Sequence, residues 1–293
     1  MEGLQKVTCI APAKINLALD VIGVRPNGYH DVRMVMQSIR LSDTVSISRK
    51  ETPGIAFSIN LGTLPSGKGN IAYDAAELFL KEQNIAEGVS ITVEKSIPVA
   101  AGLAGGSTDA AAVLRGLNEL FGTGLSEEQL RTMGLKLGAD VPYCIMGGTA
   151  LAEGIGEILT KLPDAPHYHV LLVKPDCGVS TKEIYSRLQL DDTTRHPDIG
   201  GMLRAVGAGN HLGVAEKMGN VLEPVTVALC PEIAEIERQM RSFGGEGVMM
   251  SGSGPTVFGL FADKGRATAA YMHFRVGRYA RQTYLTEFCK GAQ

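Results

Sequence analysis

Residues 95–122, K-S-I-P-V-A-A-G-L-A-G-G-S-T-D-A-A-A-V-L-R-G-L-N-E-L-F-G, limit the possible folds more than any other stretch. A strand end runs into a loop of small residues and then into a helix. Gly102, Gly105 and Gly106 leave the backbone free to take positive φ and to come close to a ligand. Ser107 or Thr108 is expected to cap the helix. Ala112, Val113, Leu117 and Leu120 recur at helical spacing and give it an apolar face. A glycine loop feeding a helix start offers unpaired N–H groups and the positive end of the dipole, which suits a phosphate. A plain loop before a well-capped buried helix fits the same letters. The stretch is neither a G-x-x-x-x-G-K-[ST] loop, since no lysine lies inside it, nor a G-x-G-x-x-G fingerprint.

The chain has 293 residues, enough for two domains or one large one. Its 44% hydrophobic content supports a packed core rather than disorder. A net charge of −3 argues against nucleic-acid binding, which needs a basic face. Cys9, Cys144, Cys177, Cys230 and Cys289 are scattered, odd in number and without a C-x-x-C pair. They are expected to be reduced, buried thiols of a cytoplasmic protein. M-E-G-L-Q-K-V-T lacks the basic and apolar regions of a signal peptide, and no apolar run suggests a membrane span.

Along the chain, Val7 to Ala13 and Ile15 to Val24 read as two strands flanking A-P-A-K-I-N. Ile15, Leu17, Leu19 and Val21 alternate with Asn16, Ala18 and Asp20, which predicts one buried face. Lys14 is then either a snorkelling strand-end residue or a working cation. Pro26-Asn27-Gly28 predicts a turn. It presents Tyr29 and His30, either as a strand start or as a stacking and hydrogen-bonding pair for a base. Val32 to Ile39, Thr44 to Ser48, Ile55 to Ile59 and Val89 to Glu94 are further strands. Asn70 caps a helix running to about Gln83. Ser126 opens a helix with a capping box that runs to Leu137. Asp140, in G-A-D-V-P-Y, is a turn or helix-end aspartate, or a carboxylate aimed into a cleft. His167 and His169 form an H-x-H pair without an evident third metal ligand. Thr181 to Leu188 and Pro231 to Phe243 are helical. Residues 248–261 form a strand, a glycine turn and a strand, where Gly252 and Gly254 permit close backbone approach. A helix near Gly265 to Arg275 and a strand from Tyr279 to Leu285 end the chain. The pattern resets after Leu162, which divides the chain into 1–162 and 163–293.

Three motifs stand in order: A-P-A-K-I-N at 11–16, P-V-A-A-G-L-A-G-G-S-T at 98–108 and M-S-G-S-G-P-T at 250–256. As a set they resemble the GHMP kinase superfamily, and the likeness covers essentially the whole chain. It implies a two-domain α+β fold: an N-terminal nucleotide-binding α/β domain and a C-terminal ferredoxin-like domain, with the active site in the cleft between. R-P-N-G-Y-H-D, L-G-A-D-V-P-Y and A-E-G-I-G-E are similar to a branch of it that phosphorylates an alcohol bearing a cytidine diphosphate, in isoprenoid precursor synthesis.

The resemblance implies ATP and Mg²⁺ as cofactors and a small-molecule substrate with a cytidine diphosphate moiety. It assigns catalysis to Lys14 and Asp140. ATP would lie along Pro98, Val99, Ala100, Ala101, Gly102, Leu103, Ala104, Gly105, Gly106, Ser107 and Thr108, with Asn70 and Lys95 lining the adenine pocket. Asn16, Tyr29, His30, Met36 and Tyr185 would meet the substrate, with Tyr29 and Tyr185 covering the two faces of the base. Ala101 and Ala104 stand where some relatives have glycine, and alanine is tolerated there unless φ is positive. Met36 stands where some have phenylalanine. Asp109 is expected to act on the helix dipole or as a cap, with a water-mediated Mg²⁺ contact as the alternative. A homoserine- or mevalonate-type kinase and a non-catalytic ligand sensor are the rival functions. The expected assembly is a monomer or weak homodimer, with no membrane or nucleic-acid partner.

Overall fold

Two long antiparallel strands organise the first half of the chain. In this computed structural model, which describes residues 4–26 and 28–291, β1 (Lys6–Val24) pairs with β2 (His30–Lys50) from Lys6↔Ser48 to Val24↔His30. Each was expected as two shorter strands. The interruption at A-P-A-K is instead a register shift between Pro12 and Lys14, and a second falls between Asn16 and Ala18. Proline has no N–H for the ladder, so a bulge lets the strand continue past it. Asn27 of the predicted turn lies outside the described residues; Gly28 takes φ +83° and its N–H donates to the Arg25 carbonyl.

The sheet runs β3 (Ile55–Ile59), β4 (Gly88–Glu94), β2, β1, with β5 (Thr149–Gly154) and β6 (Ile158–Lys161) joined to the far end of β2. Leu19, Val21, Met34, Met36 and Ile47 pack under α1 (Ile71–Glu82), α2 (Gly105–Phe121), α3 (Glu127–Leu135) and α4 (Val141–Met146). Ile15, Leu17, Val35 and Ile39 pack on the opposite side against residues of the second sheet. This corrects the expectation of one buried face. Asn16, Ala18 and Asp20 are buried too, because the sheet is covered on both sides. The Asn70 cap and the Ser126–Gln129 capping box form as predicted, though α3 stops at Leu135.

The second sheet contains β7 (His169–Val173), β9 (Gly247–Met250), β10 (Val257–Phe261) and β11 (Thr283–Glu287), antiparallel in the order β11-β7-β10-β9. Helices α5 (Thr181–Arg187), α6 (Ile199–Gly207), α7 (His211–Glu216), α8 (Glu223–Leu229) and α9 (Glu232–Ser242) lie between β7 and β9 in sequence. Helix α10 (Lys264–Val276) links β10 to β11. This is the ferredoxin-like strand order. A 3₁₀ turn over Ala280–Gln282 delays the last strand to Thr283, against the predicted start at Tyr279.

The halves are stitched together. The short strand β8 (Gly219–Asn220) adds to the first sheet beside Ala18 and Leu19. Leu41 N–H donates to Thr286 Oγ1 across the seam. The cysteine expectation fails at one pair: Cys177, just before α5, is bonded to Cys230, at the end of α8, across 53 residues. The fold brings together residues whose spacing carries no signal, while Cys9, Cys144 and Cys289 are free thiols, of which Cys144 alone is buried and the other two are half-buried. Among the described residues, no helix is long and apolar enough to cross a membrane.

Candidate active site

Hydrogen bonds tie the three motifs into one structure. The bulge in β1 directs Lys14 N–H to the Leu103 carbonyl, 3.2 Å away, and the Pro12 carbonyl accepts from Thr108 Oγ1 at 2.8 Å. Ser251 Oγ donates to the Gly102 carbonyl at 3.0 Å. The contact between the glycine loop and the 250–256 turn leaves no room for side chains. A Cβ on Gly102, which has φ +72°, would lie 2.2 Å from the Ser251 carbonyl oxygen. A Cβ on Gly252 would lie 3.2 Å from the Gly102 oxygen and 3.5 Å from both Lys14 Nζ and Asn16 Oδ1.

The start of α2 differs from expectation. Its N-cap is Ala104 at φ +58°, in the left-handed region, with no side-chain hydrogen bond to the first turn. Neither Ser107 nor Thr108 caps it. The chain must turn sharply from the loop into the helix, so the residues that could cap are already inside it. Ala104 therefore meets the condition under which alanine is strained, as does Ala100 at φ +49°, whereas Ala101 does not. The uncapped N–H groups of Gly105, Gly106 and Ser107 are those that a helix start leaves for an anion.

Helix α2 begins at the wall of a cavity of about 900 Å³. Lys14, Asn16, Tyr29, His30, Asn70, Lys95, Asp140 and Tyr185 all line it, as do Pro98 to Gly102 and Ala104 to Ser107. Three expected contacts are corrected. Met36 is fully buried in the core beneath the helices; Met34, two residues earlier on the same strand face, lines the cavity instead and accepts a hydrogen bond from Asn16 Nδ2 at 3.4 Å. Leu103 and Thr108 do not line the cavity; Leu103 is core and Thr108 is buried against β1.

Lys14 is 5% exposed, and its ammonium donates to Asn16 Oδ1 at 2.9 Å. Asp140 precedes α4 and makes no capping hydrogen bond, so its carboxylate is not used by the helix. The two charges bear on one group. Burial pushes the Cys144 thiol up, the Asp140 charge adds to that rise and the Lys14 charge opposes it. Burial likewise pushes the Tyr185 hydroxyl up, with Asp140 contributing. His30 and Tyr185 stand with ring centroids 4.9 Å apart, tilted by 52°. An Arg25–Asp31 ion pair braces the turn beneath Tyr29.

The two residues expected at the adenine pocket are committed internally. Asn70 Oδ1 accepts from Ala72 N–H and its Nδ2 donates to the Pro65 carbonyl. Lys95 is paired with Asp43 and with Asp109, the latter at 2.6 Å, and its ammonium also reaches the Gly105 carbonyl at 3.2 Å. Asp43 Oδ1 in turn accepts from Ser96 and Ile97 N–H. Asp109 is thus neither a cap nor a simple dipole partner. Burial pushes its carboxyl up to about 8 against the pull of Lys95, and its Oδ1 is buried without a partner.

Thr181, Lys182, Ser186, Gly252 and Ser253 line the same cavity and were not assigned from the sequence. The i, i+4 spacing of Thr181 and Tyr185 places them on one helix face and was a usable signal. Ser253, whose Oγ lies 2.8 Å from Thr181 Oγ1, needed the fold to be found.

Comparison with known proteins gives the following. Residues 70–148 match the family described as GHMP kinases N terminal domain, and residues 202–274 match GHMP kinases C terminal. A 4-diphosphocytidyl-2-C-methyl-D-erythritol kinase of Lachnoclostridium phytofermentans is 53% identical over 95% of this chain and 96% of its own. One of Lachnospira eligens is 48% identical over 97% and 99%. A crystal structure of 4-(cytidine 5'-diphospho)-2C-methyl-D-erythritol kinase, 33% identical, superposes with a TM-score of 0.82 over 97% of this chain and all of that one. A homoserine kinase of Cytophaga hutchinsonii, 20% identical, superposes at 0.81 and shares the fold.

Proposed function

The chain belongs to the GHMP kinases, ATP-dependent kinases of small molecules, and from that premise we propose that its substrate is 4-diphosphocytidyl-2-C-methyl-D-erythritol. The γ-phosphoryl group of ATP passes to the 2-hydroxyl, giving ADP and the 2-phosphate, a step in non-mevalonate isoprenoid precursor synthesis. The observation that carries this reading is the hydrogen-bonded meeting of three separated motifs around the uncapped start of α2, in a cavity that Lys14 and Asp140 both line.

Phosphoryl transfer needs positioning and charge neutralisation more than covalent help. The N–H groups of Gly105, Gly106 and Ser107 hold the triphosphate. Asp140 orients the attacking hydroxyl and takes its proton. Lys14, fixed by Asn16, faces the charge of the group in flight. Tyr29, His30 and Tyr185 hold the cytosine. Asp109, whose Oδ1 has no hydrogen-bond partner, and the Ser107 hydroxyl both line the cavity and are hard oxygen donors of the kind that suits Mg²⁺. Bound there, Mg²⁺ would neutralise the triphosphate.

A coupled assay of ADP release across 4-diphosphocytidyl-2-C-methyl-D-erythritol, homoserine and mevalonate tests the reading. Turnover with the first alone is expected. Turnover with either of the others and none with the first would overturn it.

A further inference from the structure

The H-x-H pair that opens β7 gains in the fold the third ligand it lacks in the sequence. Strand β11 pairs with β7 so that Glu287 lies directly across from His169. His167, two residues earlier, projects on the same side, and its Nε2 lies 2.9 Å from Glu287 Oε2. The two imidazoles meet edge to face with centroids 5.0 Å apart. One ligating atom from each of the three side chains lies within 4.8 Å of the other two. We propose that His167, His169 and Glu287 form a second metal site, for a zinc-class transition-metal dication, separate from the phosphoryl-transfer cavity.

The chemistry selects the metal. Two imidazoles and one carboxylate suit Zn²⁺, Ni²⁺ or Cu²⁺, whereas Mg²⁺ wants oxygen alone. Bonds of about 2.0–2.1 Å on a tetrahedral ion set the donor atoms about 3.3 Å apart. The His167–Glu287 distance of 2.9 Å is somewhat shorter than that, and His167, with 57% of its side chain exposed, can turn to open it at little cost. Arg40 holds the other carboxylate oxygen, Oε1, at 2.6 Å. That contact orients Glu287 with Oε2 towards the histidines, as outer hydrogen bonds do at metal sites. The same positive charge moderates affinity. Three protein ligands leave a fourth position for water or an anion.

The position gives the site a consequence. β11 meets β2 at the seam between the sheets, through the Leu41–Thr286 hydrogen bond and the Ile39–Phe288 bridge. A metal at the three side chains clamps the last strand to β7 beside that seam. Binding to the folded state alone raises stability by mass action, and none of the three residues lines the catalytic cavity.

The test is calorimetric titration of the tag-free full chain with Zn²⁺, in the absence of nucleotide, beside His167→Ala, His169→Ala, Glu287→Gln and the His167→Ala/His169→Ala double variant. Far-UV circular dichroism of the metal-free proteins checks folding. One equivalent of Zn²⁺ is expected to bind the parent chain, raising its Tm and shifting two imidazole resonances. Each single variant should bind more weakly by about tenfold or more. An isotherm unchanged in the folded double variant, binding abolished only by blocking thiols, or no binding at about 1 mM Zn²⁺ would overturn the proposal.

Discussion

Replacing Lys95 by methionine should unfold the loop before it weakens nucleotide contacts. Its ammonium is buried between two carboxylates; the Lys95 side chain is 3% exposed, that of Asp43 0% and that of Asp109 5%. Removing one partner of a buried ion pair leaves an uncompensated charge and costs about 3–5 kcal/mol. With an unfolding entropy of about 2.1 cal/mol/K per residue over 293 residues, that lowers Tm by about 5–8 °C. Above about pH 8, where the Asp109 carboxyl is ionised beside Lys95, the double variant Lys95→Met/Asp109→Asn removes one stranded acid. Asp43 keeps its hydrogen bonds to Ser96 and Ile97. The double variant should therefore be more stable than Lys95→Met alone, with a coupling of about 0.5–3 kcal/mol between the sites. Differential scanning calorimetry of the four proteins completes the cycle. A Lys95→Met protein of parental Tm with a raised KM for ATP would refute the reasoning and return Lys95 to the adenine pocket.

The Tyr29→Ala variant should keep its fold and raise KM for the diphosphocytidyl substrate by about 5- to 150-fold, since stacking on a base is worth about 1–3 kcal/mol; steady-state kinetics reads this, and an unchanged KM would make the ring structural. Gly102→Ala places a Cβ 2.2 Å from a backbone oxygen at φ +72°, so thermal denaturation should show a loss of at least about 2 kcal/mol, together with weaker ATP binding. Asp109 has a folded pKa of about 8, above its ordinary 3.8, so the native state keeps a proton that the unfolded chain releases between those values. Stability then falls as pH rises through that window, by up to about 1.4 kcal/mol per pH unit. Glu223, pushed up to about 8 by burial and then by Glu237, adds a similar fall. Urea midpoints at pH 5.5 and pH 8 should therefore differ less in Asp109→Asn than in the parent, and equal differences would contradict the assignment.

Local signals were legible wherever one short segment decides the structure. The Asn70 cap, the Ser126–Gln129 box and the β9–β10 hairpin follow from residues within seven positions of one another. The site was legible through motifs, since Lys14, Asp140 and the loop from Pro98 to Ser107 do converge on one cavity, apart from Leu103. What the sequence hid was set by distant partners. Lys95 resembles a ligand-binding cation until Asp43 and Asp109 arrive from 52 and 14 residues away. Met36 looks equivalent to Met34 because both share a strand face; only the covering helices separate core from cavity. The Cys177–Cys230 bond and the Glu287 partner of the histidines depend on chain crossings that no local spacing encodes.

The most direct measurement is single-turnover phosphoryl transfer by Asp140→Asn, beside ATP binding by the same protein. The account predicts that the rate falls by orders of magnitude while ATP affinity stays near that of the parent, because the amide can neither take the hydroxyl proton nor answer the charge of Lys14. A rate close to the parent's, with 2-phosphate and ADP still formed, would contradict it.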